Sequence, residues 1–210
     1  MRRAAWLLMT LSAVPAAMQA QLCTGQAPWS VGSLKVGGRA EFGSGFTDLL
    51  GGIGWGKDKG IFINANGGIR NGGGATGGLL SGEVGKELKT SGKVALCPVV
   101  DVDIQLPKDH VSAQRFSGGV TGGYPLSINS KNMTLSLSGA ARLAADHRSA
   151  SSEVCDSDIE DCTNTDILAV FDAGVGLVFN NRISLVPVLR LPTKGDVSLR
   201  ITANVAIGKK

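Results

Sequence analysis

The last stretch of the chain, Asp196 to Gly208, alternates for about a dozen residues. Val197, Leu199, Ile201, Ala203, Val205 and Ile207 share one face, and Ser198, Arg200, Thr202 and Asn204 share the other. Period-2 alternation places successive side chains on opposite faces of an extended strand. The run is long for a globular strand, which usually holds about 5–6 residues. It matches a strand that crosses a bilayer at a tilt, which needs roughly 9–11. A strand with one greasy and one polar face has to meet an apolar medium on one side and polar groups on the other. If the pattern repeats around a closed sheet, the fold is a barrel with its apolar face outward.

The pattern does repeat. Apolar residues at alternate positions mark strands over 34–42, 49–55, 61–69, 77–89, 94–104, 116–126, 133–143, 167–179 and 183–191, with the closing stretch as the tenth. Lys86 falls on the apolar face of the fourth strand and breaks its row. Asn180-Asn181 fits a two-residue hairpin turn. Irregular segments at 43–47, 71–76, 106–113 and 146–165 read as loops, longer than the turns that follow the even-numbered strands. Outward aromatic residues then sort by height, with Phe42 and Phe116 near one rim and Trp55, Tyr124 and Phe179 near the other. Pro98, Pro125 and Pro187 oppose a closed barrel, because each removes a ladder donor. The soluble rival is a secreted sandwich with its apolar faces pressed together.

The N-terminus gives an address. Met1-Arg2-Arg3, a short apolar run from Ala4 to Val14 and small residues up to Ala20 describe a secretory signal peptide over 1–20. Residues 21–32 show no period and read as a periplasmic lead-in. No later segment has 18 uninterrupted apolar residues, so no membrane-spanning helix is expected. The formal charge of +4 includes Arg2 and Arg3, and what remains without them is too small to argue for nucleic acid. Four cysteines after an export signal favour two disulfides. If the barrel is right, Cys23 pairs with Cys97 at the lead-in end and Cys155 with Cys162 in an outer loop, since the other pairings would span the membrane.

The export signal, the alternating strands and the final strand resemble the small outer-membrane β-barrel proteins of Gram-negative bacteria, over roughly residues 33–208. The resemblance implies an all-β, antiparallel, up-and-down transmembrane barrel of about ten strands, with eight as the alternative count. It implies residence in the cell outer membrane, contact with outer-membrane lipids and the barrel assembly machinery, a monomer, and no cofactor or metal. Many such barrels end on an aromatic residue, whereas this chain ends Ile207-Gly208-Lys209-Lys210.

The inward faces would hold Lys35, Arg39, Glu41, Glu83, Glu87, Lys89, Asp101, Asp103, Arg115, Arg142, Asp172, Arg190 and Arg200. Charges in a narrow lumen need partners, because each unpaired burial costs several kcal/mol. They therefore read as a salt-bridged, side-chain-filled interior, with a narrow polar path for small solutes as the functional variant. Asp156, Asp158, Glu160 and Asp161 offer oxygens for Ca²⁺ but lack an EF-hand spacing. His110 and His147 sit at loop positions. His147-Arg148-Ser149 resembles the His-x-Ser pair of lipid A deacylases, which would make a rim hydrolase the enzymatic alternative. Asp101-x-Asp103 is similar to half of the acidic site of ten-stranded outer-membrane proteases, but the Asp-x-His half is missing. The expected role is non-catalytic: structural, surface-interacting, or passing small solutes.

Overall fold

The computed structural model describes residues 22–24, 34–57, 60–72, 75–88, 90, 93–108, 111–126, 132–150 and 163–208. After a short 3-10 turn at Leu22–Thr24 come ten strands. They are β1 (Leu34–Gly43), β2 (Phe46–Gly56), β3 (Ile61–Gly72), β4 (Ala75–Lys86), β5 (Ala95–Lys108), β6 (Val111–Leu126), β7 (Met133–Ala150), β8 (Thr163–Phe179), β9 (Ile183–Pro192) and β10 (Ser198–Ile207). Each pairs antiparallel with its sequence neighbours, and the sheet closes where β1 meets β10, from Leu34–Ile207 through Gly43–Ser198. The result is an up-and-down β-barrel with no free edge. We call the end holding Leu34 and Ile207 proximal and the end holding Gly43 and Ser198 distal.

The barrel is apolar outside and polar inside. Leu49, Ile53, Val100, Leu143, Ile167, Leu189 and Leu199 point outward and are exposed, while Glu41, Asp48, Asp101, Arg142 and Arg190 point inward and are buried. This inverts a water-soluble fold and excludes the sandwich, in which those aliphatic rows would be covered. It is the arrangement of a barrel that spans a bilayer. Lys86 lies at the proximal end, opposite Ile61, where the outward row leaves the apolar band. Phe42, Phe116, Trp55, Tyr124 and Phe179 are all exposed on the outer surface. The registers put the first two toward the distal rim and the other three toward the proximal rim, the positions of interfacial girdles.

A ladder breaks or ends near Pro98, Pro125 and Pro187. The β4–β5 register stops at Gly85–Val99, beside Pro98, and resumes as an isolated bridge between Leu88 and Leu96. The β8–β9 register skips the positions opposite Pro187 and Val186. Pro125 lies beyond the point where β6 leaves β5, whose last pair on that side is Ala95–Gly123. A gap or an end of one ladder thus lies beside each of the three prolines, where a missing N–H costs least.

The connections differ from the sequence reading. Ser44 and Gly45 alone separate β1 from β2, residues 73–74 separate β3 from β4, and residues 109–110 separate β5 from β6. Most of 106–113 is strand, with a register shift between Gln105 and Lys108, and both flanks of 146–165 are paired. Hydrogen bonding continues after the apolar row ends, so polar residues that look like loop belong to strands projecting past the band. Distal connections are thus not systematically longer. What is longer is the distal reach of β5–β8, whose ladders run up to Ser149–Thr163 and Val111–Ala150. Asn180 and Asn181 both have positive φ, and Arg182 N donates to Phe179 O at 2.9 Å, a two-residue hairpin turn.

Candidate functional site: the charged waist and the floor beneath it

Inward positions at mid-height bring acids and arginines from most of the strands into one layer. Arg200 Nε (β10) donates to Glu41 Oε2 (β1) at 2.8 Å, and Ser198 Oγ donates to Glu41 Oε1 at 2.7 Å. Arg190 on β9 lies 3.7 Å from Glu41 and donates through Nε to Asp172 Oδ1 on β8 at 3.2 Å. Asp172 is 3.7 Å from Arg142 on β7, which reaches Asp101 on β5 at 3.2 Å and Glu83 on β4 at 3.6 Å. Asn64 Nδ2 donates to Glu83 Oε1 at 3.0 Å and Ser117 Oγ to Asp101 Oδ1 at 2.6 Å. A second chain joins Arg39 to Asp103 at 3.6 Å and to Ser81 Oγ at 3.3 Å. The layer is a belt of alternating charge around the inner wall. Each ion has an opposite partner, as burial requires.

Two bidentate pairs lie distal to this waist. Arg70 donates to both oxygens of Asp48, at 2.7 and 2.8 Å, and stacks over the Phe46 ring. Arg115 pairs with Asp146, its Nη2 donating to Oδ2 at 2.6 Å. The forked geometry fixes both partners. Ala144, Leu168 and Val170 form an inward apolar cluster on β7 and β8, one step distal of Arg142 and Asp172. Asp48 and Asp146 are not among the lumen residues expected from sequence, because Asp48 falls between the 43–47 loop and the strand starting at Leu49, and Asp146 falls in the segment read as loop. Strand parity carried through those segments would have found them.

The proximal end is closed differently. A disulfide joins Cys23 of the N-terminal turn to Cys97 of β5, with Cα atoms 5.9 Å apart. The pair is buried in a cluster with Phe62, Ala95 and Val99. The turn also touches β6 and β7, so it sits within the barrel and not beneath it. Phe62 is the inward residue between outward Ile61 and Ile63, a floor residue the sequence reading passed over. It fits because Gly85 opposite lacks a side chain; a Cβ there would fall 2.4 Å from the Phe62 ring. A cross-link spanning 74 residues stabilises mainly through the unfolded chain, by about 4 kcal/mol.

Between waist and floor lies a cavity of about 120 Å³, to whose lining every strand contributes. Arg39, Arg142 and Arg200 face it on the waist side, and Cys23 and Thr24 bound it below. Arg39 Nε and Arg142 Nε donate no hydrogen bond to any of the described residues. The space suits a few waters and falls short of the roughly 300–1,000 Å³ of ligand pockets. Lys35 and Glu87 are buried toward the proximal end, and neither is free.

The outer-rim candidates do not assemble. His147 Nδ1 lies 2.9 Å from Thr165 Oγ1, and Ser149 Oγ lies 2.8 Å from Ser112 Oγ. Both residues point outward from β7, and each bonds across to a neighbouring strand. His110, Lys89, Cys155, Cys162 and the acidic residues between those cysteines lie outside the described residues, as do residues 1–20.

No known family model matches the chain, and no curated protein does. Among solved structures, a KdgM porin in complex with disordered oligogalacturonate is similar at 9% identity and a TM-score of 0.42, over 83% of this chain and 99% of that one. LpxR from Salmonella typhimurium is similar at 8% identity and a TM-score of 0.40, over 77% of this chain and 73% of that one. Likenesses of this size transfer no activity; the architecture stands on its own register and burial.

Proposed function

We propose that the protein is a non-catalytic, structural barrel of the bacterial outer membrane, with its proximal end in the periplasm and its lumen shut to solutes by its own side chains. Arg142 carries this reading: one buried guanidinium reaches Glu83, Asp101 and Asp172 on three strands, tying opposite walls of the lumen together. Lumens built to pass sizeable solutes leave such charges on the wall, with water between them. The outward apolar rows and aromatic rims support the membrane address, and the export signal read from residues 1–20 supports the compartment. A rim hydrolase is disfavoured, because His147 and Ser149 bond to Thr165 and Ser112 and not to each other.

Folded protein inserted in a planar bilayer is the test. The expected trace shows no discrete open-channel steps. Steady steps in the wild-type protein would overturn the closed-lumen reading. Release of the protein from outer membranes by a high-pH wash would overturn the address.

A further inference from the structure

Cys23 and Thr24 line the cavity below the waist on its proximal side. Their turn, Leu22–Thr24, reaches into the barrel far enough to touch β5, β6 and β7, and its cysteine is bonded to an inward residue of the wall. Cys97 is 0% exposed and Cys23 2%, so each thiol position is covered by the other half of the bond and by the cluster around it. Cys97 pairs in register with Thr121, whose side chain lines the same cavity. The bond thus lies at the boundary between cavity and proximal mouth.

We propose that the Leu22–Thr24 turn is a stopper, held in the barrel by the Cys23–Cys97 bond, that closes the lower chamber to solutes on the proximal side. The naming of that side as periplasmic rests on the function proposed above; the closure itself does not. Cys23 is the turn's member of the buried cluster. The covalent link keeps the turn seated against the conformational entropy of releasing it. The polar cavity above it then becomes a chamber with a floor at one end and a charged ceiling at the other.

The experiment is thiol labelling of the refolded, full-length mature protein with a small, charged methanethiosulfonate. In Cys23→Ser, Cys97 becomes a free thiol at the chamber floor. With the tether cut, the turn leaves, and Cys97 is expected to react within about tenfold of its rate in the urea-unfolded chain. In the reciprocal Cys97→Ser variant, Cys23 departs with the turn and is expected to react equally fast. The double variant Cys23→Ser/Cys97→Ser supplies the background from Cys155 and Cys162, and heat-modifiable gel mobility certifies a folded barrel in each case. Protection of both thiols by a hundredfold or more in folded variants overturns the disulfide-held stopper, since packing would then hold the turn without the bond. Wild-type conductance is read separately. A silent wild type with protected thiols removes the stopper alone, whereas a conducting wild type removes the closed lumen.

Discussion

Arg200 of the last strand lays its guanidinium against Glu41 of the first, Nε and Nη2 both 2.8 Å from Oε2, across the seam that closes the barrel. The two are 159 residues apart in sequence. Glu41 also takes Arg190 at 3.7 Å, so one carboxylate balances two guanidinium groups from adjacent strands. Glu41→Gln leaves Arg200 buried without its ion-pair partner and Arg190 with Asp172 alone, and a loss of about 3–5 kcal/mol is expected. Urea unfolding in lipid vesicles measures it. Glu41→Leu combined with Arg200→Met is expected to cost less than the two single changes added together, because the second change removes a charge the first has orphaned.

Val100 on β5 sits at mid-height with its side chain outward and 59% exposed, whereas Thr76 on β4 points outward near the distal end. Val100→Arg is expected to destabilise the protein in vesicles by about 2–4 kcal/mol, and Thr76→Arg by about 0–1, because the cost of a lipid-facing cation depends on depth. In a water-soluble fold both would be surface changes within about 0.5 kcal/mol. Equal, small effects at the two sites would contradict the membrane-spanning reading.

All ten strands were legible because lipid imposes a rule on alternate residues, and Val197 through Ile207 or Ile167 through Phe179 obey it without interruption. The rule stops where the lipid stops. Ser112, Gln114, His147, Ser149, Thr163 and Thr165 occupy outward positions past the band, where nothing selects an apolar side chain, so 106–113 and 146–165 looked irregular although their backbones are paired. The same boundary hid Asp48 and Asp146, and with them the Arg70 and Arg115 pairs. Waist residues such as Arg142 and Asp172 lay between clear apolar neighbours, so their inward placement was readable. Which acid each arginine reaches was not, because that depends on the stagger of strands around the closed sheet. The prolines appeared to oppose closure because a sequence does not reveal that a ladder can lapse locally, as it does beside Pro98 and Pro187.

Asn181 holds the left-handed conformation, φ 57°, at the second position of the β8–β9 turn. Asparagine tolerates this region and glycine occupies it freely, but a residue with a plain Cβ is strained there by about 1–2 kcal/mol. Asn181→Ala is therefore expected to destabilise by about 1 kcal/mol and Asn181→Gly to be neutral or slightly stabilising. Paired unfolding curves would show this, and an alanine variant as stable as the glycine one would contradict the turn assignment.

His147 bonds to Thr165 across the β7–β8 ladder, and Ser149 bonds to Ser112 across the β6–β7 ladder. A serine nucleophile needs its hydroxyl proton taken by the base it touches, and here each candidate is committed to a different strand. Both also lie on the outward face near the distal rim, clear of the lumen. His147→Ala and Ser149→Ala are accordingly expected to leave the lipid A acyl pattern of expressing cells unchanged, as read by mass spectrometry, and to shift stability by no more than about 0.5 kcal/mol. A change in acyl pattern that depends on the wild-type protein and disappears in His147→Ala would replace the non-catalytic reading with a hydrolase. It would also require the rim to rearrange so that the His147 ring leaves Thr165 for Ser149.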